Sequence, residues 1–134
     1  ATKAERLLEG DLAGQNIALL GLTFKAHTDD LRNSPAIEVA RRLAKKGAIL
    51  RAYDPMVNST SDIPSEIEIA TTIENAVNQA DLAVVLTEWL EFASADWPVL
   101  ADLMKSPRLV DARNLLDRDS MIELGFRYDD LGRT

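Results

Sequence analysis

NIALLGLTFKAHTDDLRNSP, residues 16–35, joins a short apolar run to a helix start. Asn16 to Gly21 has the length and apolar density of a buried strand. Ser34 suits a helix N-cap and Pro35 the first helical position, so the stretch predicts strand, loop, helix. A strand-to-helix connection needs only a few residues. This one is long, and it carries Lys25, the chain's single histidine His27, the adjacent Asp29 and Asp30, and Arg32. It also lacks the G-x-G-x-x-G spacing that lets a dinucleotide pyrophosphate press onto the backbone of such a turn.

Working outward, Ile37, Ala40, Leu43 and Ala44 form the apolar stripe of a helix that ends at Gly47, while Glu38, Arg41, Arg42, Lys45 and Lys46 face water. AILRAYDP (48–55) reads as a second strand stopped by Asp54-Pro55, and the polar stretch that follows, to residue 66, reads as a loop. IEIA (67–70) suits a short edge strand and TTIENAVNQA (71–80) a helix. DLAVVLTEW (81–89) is continuously apolar at its centre, as a strand buried on both faces would be. A helical segment through DWPVLADLM (96–104), a strand in RLVDAR (108–113), and a short helix and last strand in residues 120–134 complete the chain. Residues 1–10 read as the tail of a helix with Gly10 as its stop.

Strands separated by helices predict an α/β, Rossmann-like, doubly wound and mainly parallel sheet with helices on both faces. In the common order the first strand neighbours the second and the fourth, and a crevice opens at their carboxyl ends where the order reverses. Loops 22–32, 87–92 and 111–114 should meet there. Trp89, Phe92 and Trp97 are expected to pack around the fourth strand, with Trp89 placed to border the crevice.

The composition narrows the functions. The chain has 134 residues, 46% hydrophobic and 28% charged, which fits one domain with a sizeable core. Apolar runs such as LAVVL are far too short to span a membrane. The chain opens on Ala1 with no charged-then-apolar leader, so export is not expected, and an excised piece is. With no cysteine there is no disulfide, thiolate metal site or cysteine nucleophile, which fits the cytoplasm. A net charge of −7 argues against a general nucleic-acid binder. His27 with nearby carboxylates makes a poor zinc site, and no G-x-S-x-G elbow precedes a helix. The chain is therefore expected to hold neither a metal nor a catalytic residue of its own.

Against that acidic background, Lys25, Arg32 and Arg113 gain weight. The helix beginning at Ser34–Pro35 aims its free N–H groups at the same crevice, and a pyrophosphate would satisfy all of them. The alternative is that Lys25 and Arg32 pair with Asp29 and Asp30 on the surface. Asp54 sits where an NAD ribose would be read, but without the glycine turn it fits a strand-end cap better. Asp29 and Asp30, with Asp54, Thr87 and Lys105, could also imitate a Mg²⁺-binding phosphorylation receiver. The order disfavours this, because a receiver's acceptor follows the third strand and Asp54 follows the second.

GLTFKAHTDDLRNSP (21–35) resembles the G-x-x-F-K-x-x-T-D-D-x-R-x-S-P signature in the C-terminal domain of the UDP-glucose/GDP-mannose dehydrogenase family. AYDP, LTEWLEF, VDARNLLD and GFRYDDLGR follow in the order that family has them. The T-E-W-x-E-F element and the final G-F-x-Y segment are most similar to its UDP-glucose-oxidising members. GDP-mannose- and UDP-N-acetylmannosamine-oxidising members are the alternatives, and a stand-alone nucleotide-binding module is a further one. The resemblance implies a three-part cytoplasmic enzyme of polysaccharide biosynthesis that oxidises a sugar alcohol to a carboxylate with two NAD⁺. An N-terminal domain would bind NAD, and the segment preceding this domain would supply the catalytic cysteine, on which a thioester forms. A central helix would build a homodimer, and residues 15–134 would bind the nucleotide sugar. Residues 1–14 would be the end of that helix or its junction, and this domain alone would be inactive. Phe24, Lys25 and Arg113 match substrate contacts, and Arg32 matches an arginine that reaches toward NAD. Asp29 and Asp30 would orient the loop. Ala112 stands where the family usually has glycine.

Overall fold

Alternation sorts the sheet into two buried faces. In β1 (Asn16–Leu20), Ile17 and Leu19 join one apolar cluster and Ala18 and Leu20 the other. The central strand β4 (Leu82–Val85) repeats the pattern, with Leu82 and Val84 on the first face and Ala83 and Val85 on the second, and every residue is buried. A strand covered on both sides has no polar face to display, which is why both segments read as unbroken apolar runs. The computed structural model describes residues 13–22, 35–56, 67–87, 89–111 and 115–130.

Six strands pair in the order β3-β2-β1-β4-β5-β6, with β2 at Ile49–Tyr53, β3 at Ile67–Ile69, β5 at Arg108–Asp111 and β6 at Arg127–Asp130. Every pairing is parallel. This is the doubly wound order, and its reversal falls between β1 and β4 as expected. Register brings the carboxyl ends level: Leu20 lies opposite Tyr53 and Val85, Val85 opposite Asp111, and Asp111 opposite Asp130.

Helix α1 (Pro35–Lys45) lays Ile37, Ala40 and Leu43 on the first face, against Ile17, Leu19, Leu50, Ala52, Leu82 and Val84. Its Glu38, Arg41, Arg42 and Lys45 are exposed, so the basic stripe is a solvated surface. The opposite face is covered by α2 (Ile73–Val77), α3 (Leu90–Ala93), α4 (Trp97–Leu103) and α5 (Arg118–Glu123). Three of these helices are capped by side chains that accept a backbone N–H of the first turn: Thr72 from Asn75, Asp96 from Val99 and Asp117 from Ser120. The expected cap of α1, Ser34, lies outside the described residues.

Helix α3 was not separable from a loop by sequence. Four residues give no helical period, and only Phe92 turns inward, where it is fully buried and meets Tyr53 edge to face at 6.2 Å. Trp89 and Trp97 are buried beside it, as packing residues should be.

Candidate functional site

At the carboxyl rim the strand ends are held together by a close glycine contact and by two buried aspartates. Gly21 leaves β1 at φ +103°, and its N–H donates to the Tyr53 carbonyl at 2.8 Å. A β-carbon there would stand 2.4 Å from Thr87 Cβ and Oγ1 and 2.8 Å from the Thr87 nitrogen. Glycine is required twice over, by the left-handed backbone and by the approach of the β4 exit. The space beside Gly21 is therefore filled by protein, unlike the glycine turn that receives a pyrophosphate.

Asp54, at the end of β2, is 2% exposed. Its Oδ2 accepts from the Leu22 N–H at 2.8 Å and from Trp89 Nε1 at 3.1 Å, and its Oδ1 accepts from the Met56 N–H at 2.9 Å. One carboxyl thus ties the exits of β1, β2 and β4. This is wider work than a strand-end cap, and it turns Asp54 inward. A ribose reader or a phosphate acceptor would have to face the crevice.

Asp111, at the end of β5, is fully buried. Its Oδ2 accepts from the Leu116 N–H at 2.7 Å and from the Tyr128 hydroxyl at 2.8 Å, and that hydroxyl lies 3.3 Å from the Leu116 carbonyl. Leu109 pairs with Tyr128 across β5 and β6, and Asp111 follows Leu109 by two residues. The period of a strand therefore puts all three on one face, and the phenol reaches along that face to the carboxyl.

On the β2 side of the rim, the Tyr53 hydroxyl donates to Glu91 Oε2 at 2.7 Å. Burial, then the hydrogen bond to Glu91 and the charges of Glu91, Asp54 and Glu74, push the Tyr53 phenol well above its ordinary value. Neutral at physiological pH, it acts here as a donor.

The expected site residues Phe24, Lys25, Arg32 and Arg113 lie outside the described residues, as do His27, Asp29 and Asp30. What is described is where their segments are anchored. Leu22, bound by Asp54, immediately precedes the segment with Phe24, Lys25 and Arg32, and α1 begins just after it. Asp111 and Leu116, bound to each other, bracket the segment with Arg113. Sequence reasoning assigned no role to Asp111 or Tyr128. The signal was an aspartate closing an apolar strand, shared by AYDP and LVDA. Among the described residues, no group of three or more His, Asp or Glu could hold a metal ion.

The order of the sheet, its switch point and its braced rim define a Rossmann-like α/β domain. The UDP-glucose/GDP-mannose dehydrogenase family, UDP binding domain, matches residues 18–118, and the chain belongs to that family. It is 43% identical over 134 residues to the UDP-glucose 6-dehydrogenase of Rickettsia typhi, covering 97% of this chain and 31% of that protein. Among solved structures, the NDP-N-acetyl-D-galactosaminuronic acid dehydrogenase of Methanosarcina mazei superposes with a TM-score of 0.85 at 28% identity, over 98% of this chain and 27% of that one. A UDP-glucose dehydrogenase from Pyrobaculum islandicum gives a TM-score of 0.76 at 26% identity, over 96% of this chain and 27% of that one. The chain thus spans between a quarter and a third of the length of these relatives.

Proposed function

We propose that the chain is the nucleotide-sugar-binding domain of an NAD-dependent UDP-glucose 6-dehydrogenase. In the intact protein, residues 15–134 hold the nucleotide sugar while its C6 alcohol is oxidised twice to the carboxylate. Phe24, Lys25 and Arg113 contact the sugar nucleotide, and Arg32 reaches toward NAD held by another domain. Residues 1–14 are the end of a central helix or its junction. The enzyme works as a cytoplasmic homodimer that supplies uronate for polysaccharide synthesis. Because this chain has no cysteine and no glycine-rich turn, the catalytic nucleophile and the main seat of NAD belong to other parts of the protein.

The observation that carries the proposal is the anchoring of two loops at one rim. Asp54 fixes Leu22 at the root of the segment with Phe24 and Lys25, and Asp111 fixes Leu116 at the root of the segment with Arg113. Segments rooted at the carboxyl edge of a parallel sheet, beside the start of a helix and carrying lysine and arginine in their sequence, suit a diphosphate. A second reading, a dehydrogenase of GDP-mannose or UDP-N-acetylmannosamine, draws support from the similarity to the UDP-D-ManNAc dehydrogenase of Pyrococcus horikoshii and to a GDP-mannose dehydrogenase of Pseudomonas aeruginosa. A stand-alone nucleotide-binding module is the third. Calorimetric titration of the intact protein with UDP-glucose, UDP and GDP-mannose separates them. UDP-glucose and UDP are expected to bind and UDP-glucose to drive NAD⁺ reduction. Preference for GDP-mannose, or binding without turnover, would overturn the assignment.

A further inference from the structure

The two aspartate braces differ in what they leave for the ligand to feel. Asp54 binds two backbone N–H groups and an indole, all within the seam of the sheet. Asp111 closes a short ring of chain on itself, from its own side chain to the Leu116 N–H, and the residues inside that ring include Arg113. From β6 the Tyr128 hydroxyl holds the ring, bonding Asp111 Oδ2 and standing beside the Leu116 carbonyl. Asp111 is fully buried, with Leu116 6% and Tyr128 8% exposed, so these bonds are formed away from competing water.

We infer that Tyr128 is a positioning residue for nucleotide-sugar binding, acting through Asp111 on the segment that carries Arg113. This rests on the proposed contact between Arg113 and the sugar nucleotide. The physical reason is geometric. An arginine binds a diphosphate well only when its guanidinium plane is held in register with the oxygens, and small misplacements cost affinity. The phenol fixes both ends of the ring at once: it donates to the carboxyl at one end and stands against the carbonyl of the residue at the other. Its aromatic body is set by the core, on the same face as Leu109, Met121 and Phe126. Tyr128→Phe removes one oxygen and keeps that body, so the fold survives while the ring loses the hydroxyl contacts from β6. Asp111→Asn is the second variant, keeping an acceptor oxygen for Leu116 or Tyr128 but not the carboxyl.

The test is UDP affinity in the intact protein, measured by calorimetry for the unaltered protein, Tyr128→Phe, Arg113→Ala and the double variant, with nucleotide-sugar and NAD kinetics alongside. Tyr128→Phe is expected to weaken UDP about three- to tenfold, the range of one hydrogen bond. It should raise the KM for the nucleotide sugar far more than the KM for NAD. In the Arg113→Ala background it should add nothing, because its effect passes through that arginine. Asp111→Asn should follow the same pattern with a larger loss. If Arg113→Ala weakens UDP and Tyr128→Phe does not, or if the two losses simply multiply, Tyr128 is structural only and the inference fails. If Arg113→Ala leaves UDP binding intact, the proposed substrate contact itself fails, and the inference falls with it.

Discussion

The two edges of this sheet are closed by different means. At the amino edge, backbone meets backbone: Asp81 N–H to the Asn16 carbonyl at 2.7 Å, Ile49 to Gln15 at 2.8 Å, Gln79 to Leu103 at 2.8 Å and Lys105 to Ala80 at 2.9 Å. One carboxyl helps, Asp81 Oδ2 accepting from the Asn16 N–H at 2.9 Å. At the carboxyl edge backbone bonds continue, Gly21 N–H to the Tyr53 carbonyl at 2.8 Å among them, and buried carboxyls that each take several donors join them. Asp54 bonds Leu22 and Trp89, which are 32 and 35 residues away in sequence, and Asp111 is bonded by Tyr128, 17 residues away. An edge that only turns the chain can satisfy its own backbone. An edge that must present ligand-binding loops has to satisfy backbone groups without folding those loops shut, and buried carboxyls do that.

The sharpest way to break this contrast is Gly21→Ala. The added β-carbon collides with Thr87, and the left-handed backbone adds strain, so about 3–5 kcal/mol of stability should be lost in denaturant unfolding. A loss under about 1 kcal/mol would show that the β1 and β4 exits are not tightly joined. Next, Asp54→Ala should cost about 3 kcal/mol, since it strands two backbone N–H groups and an indole N–H. Asp81→Ala, on the opposite edge, should cost about 1 kcal/mol and leave UDP affinity alone. Equal losses from the two would erase the distinction between the edges. Trp89→Phe keeps the ring but loses one donor to Asp54, and about 1 kcal/mol is expected, with weaker UDP binding.

The smallest effect is a pH dependence. The phenol of Tyr53 is held neutral in the folded chain above its ordinary value of about 10. Its contribution is therefore complete below that pH and is lost as the pH rises toward the folded value. Ultraviolet difference titration against a Tyr53→Phe control should show late ionisation, and Glu91→Gln should bring it earlier by removing the neighbouring charge. An unchanged titration in Glu91→Gln would leave burial and the charges of Asp54 and Glu74 as the cause.

Much of the fold was legible because its signals are local. The apolar runs around Leu19 and Val84 belong to strands buried on two faces, and the stripe of Ile37, Ala40 and Leu43 has the period of a helix lying on a sheet. Helix α3 escaped because four residues carry no period. The family was legible in the ordered motifs, and the match over residues 18–118 shows it. The charged loop and Arg113 stand out in an acidic chain but lie outside the described residues. Asp54 was recognised as structural, but its bond to Trp89 depends on two loops meeting in space. Asp111 and Tyr128 were missed for the same reason: nothing in LVDA says that a phenol 17 residues later will donate to that aspartate.

Hydrogen exchange on the intact protein, with and without UDP, shows which end of the sheet receives the ligand. Saturating UDP should slow exchange at the carboxyl rim, at the Leu22 and Leu116 amides that the two aspartates hold, and leave the amino-edge amides of Asn16, Gln79 and Lys105 unchanged. Protection at the amino edge, with Leu22 and Leu116 unaffected, would place the ligand on the wrong side of the sheet and contradict the account.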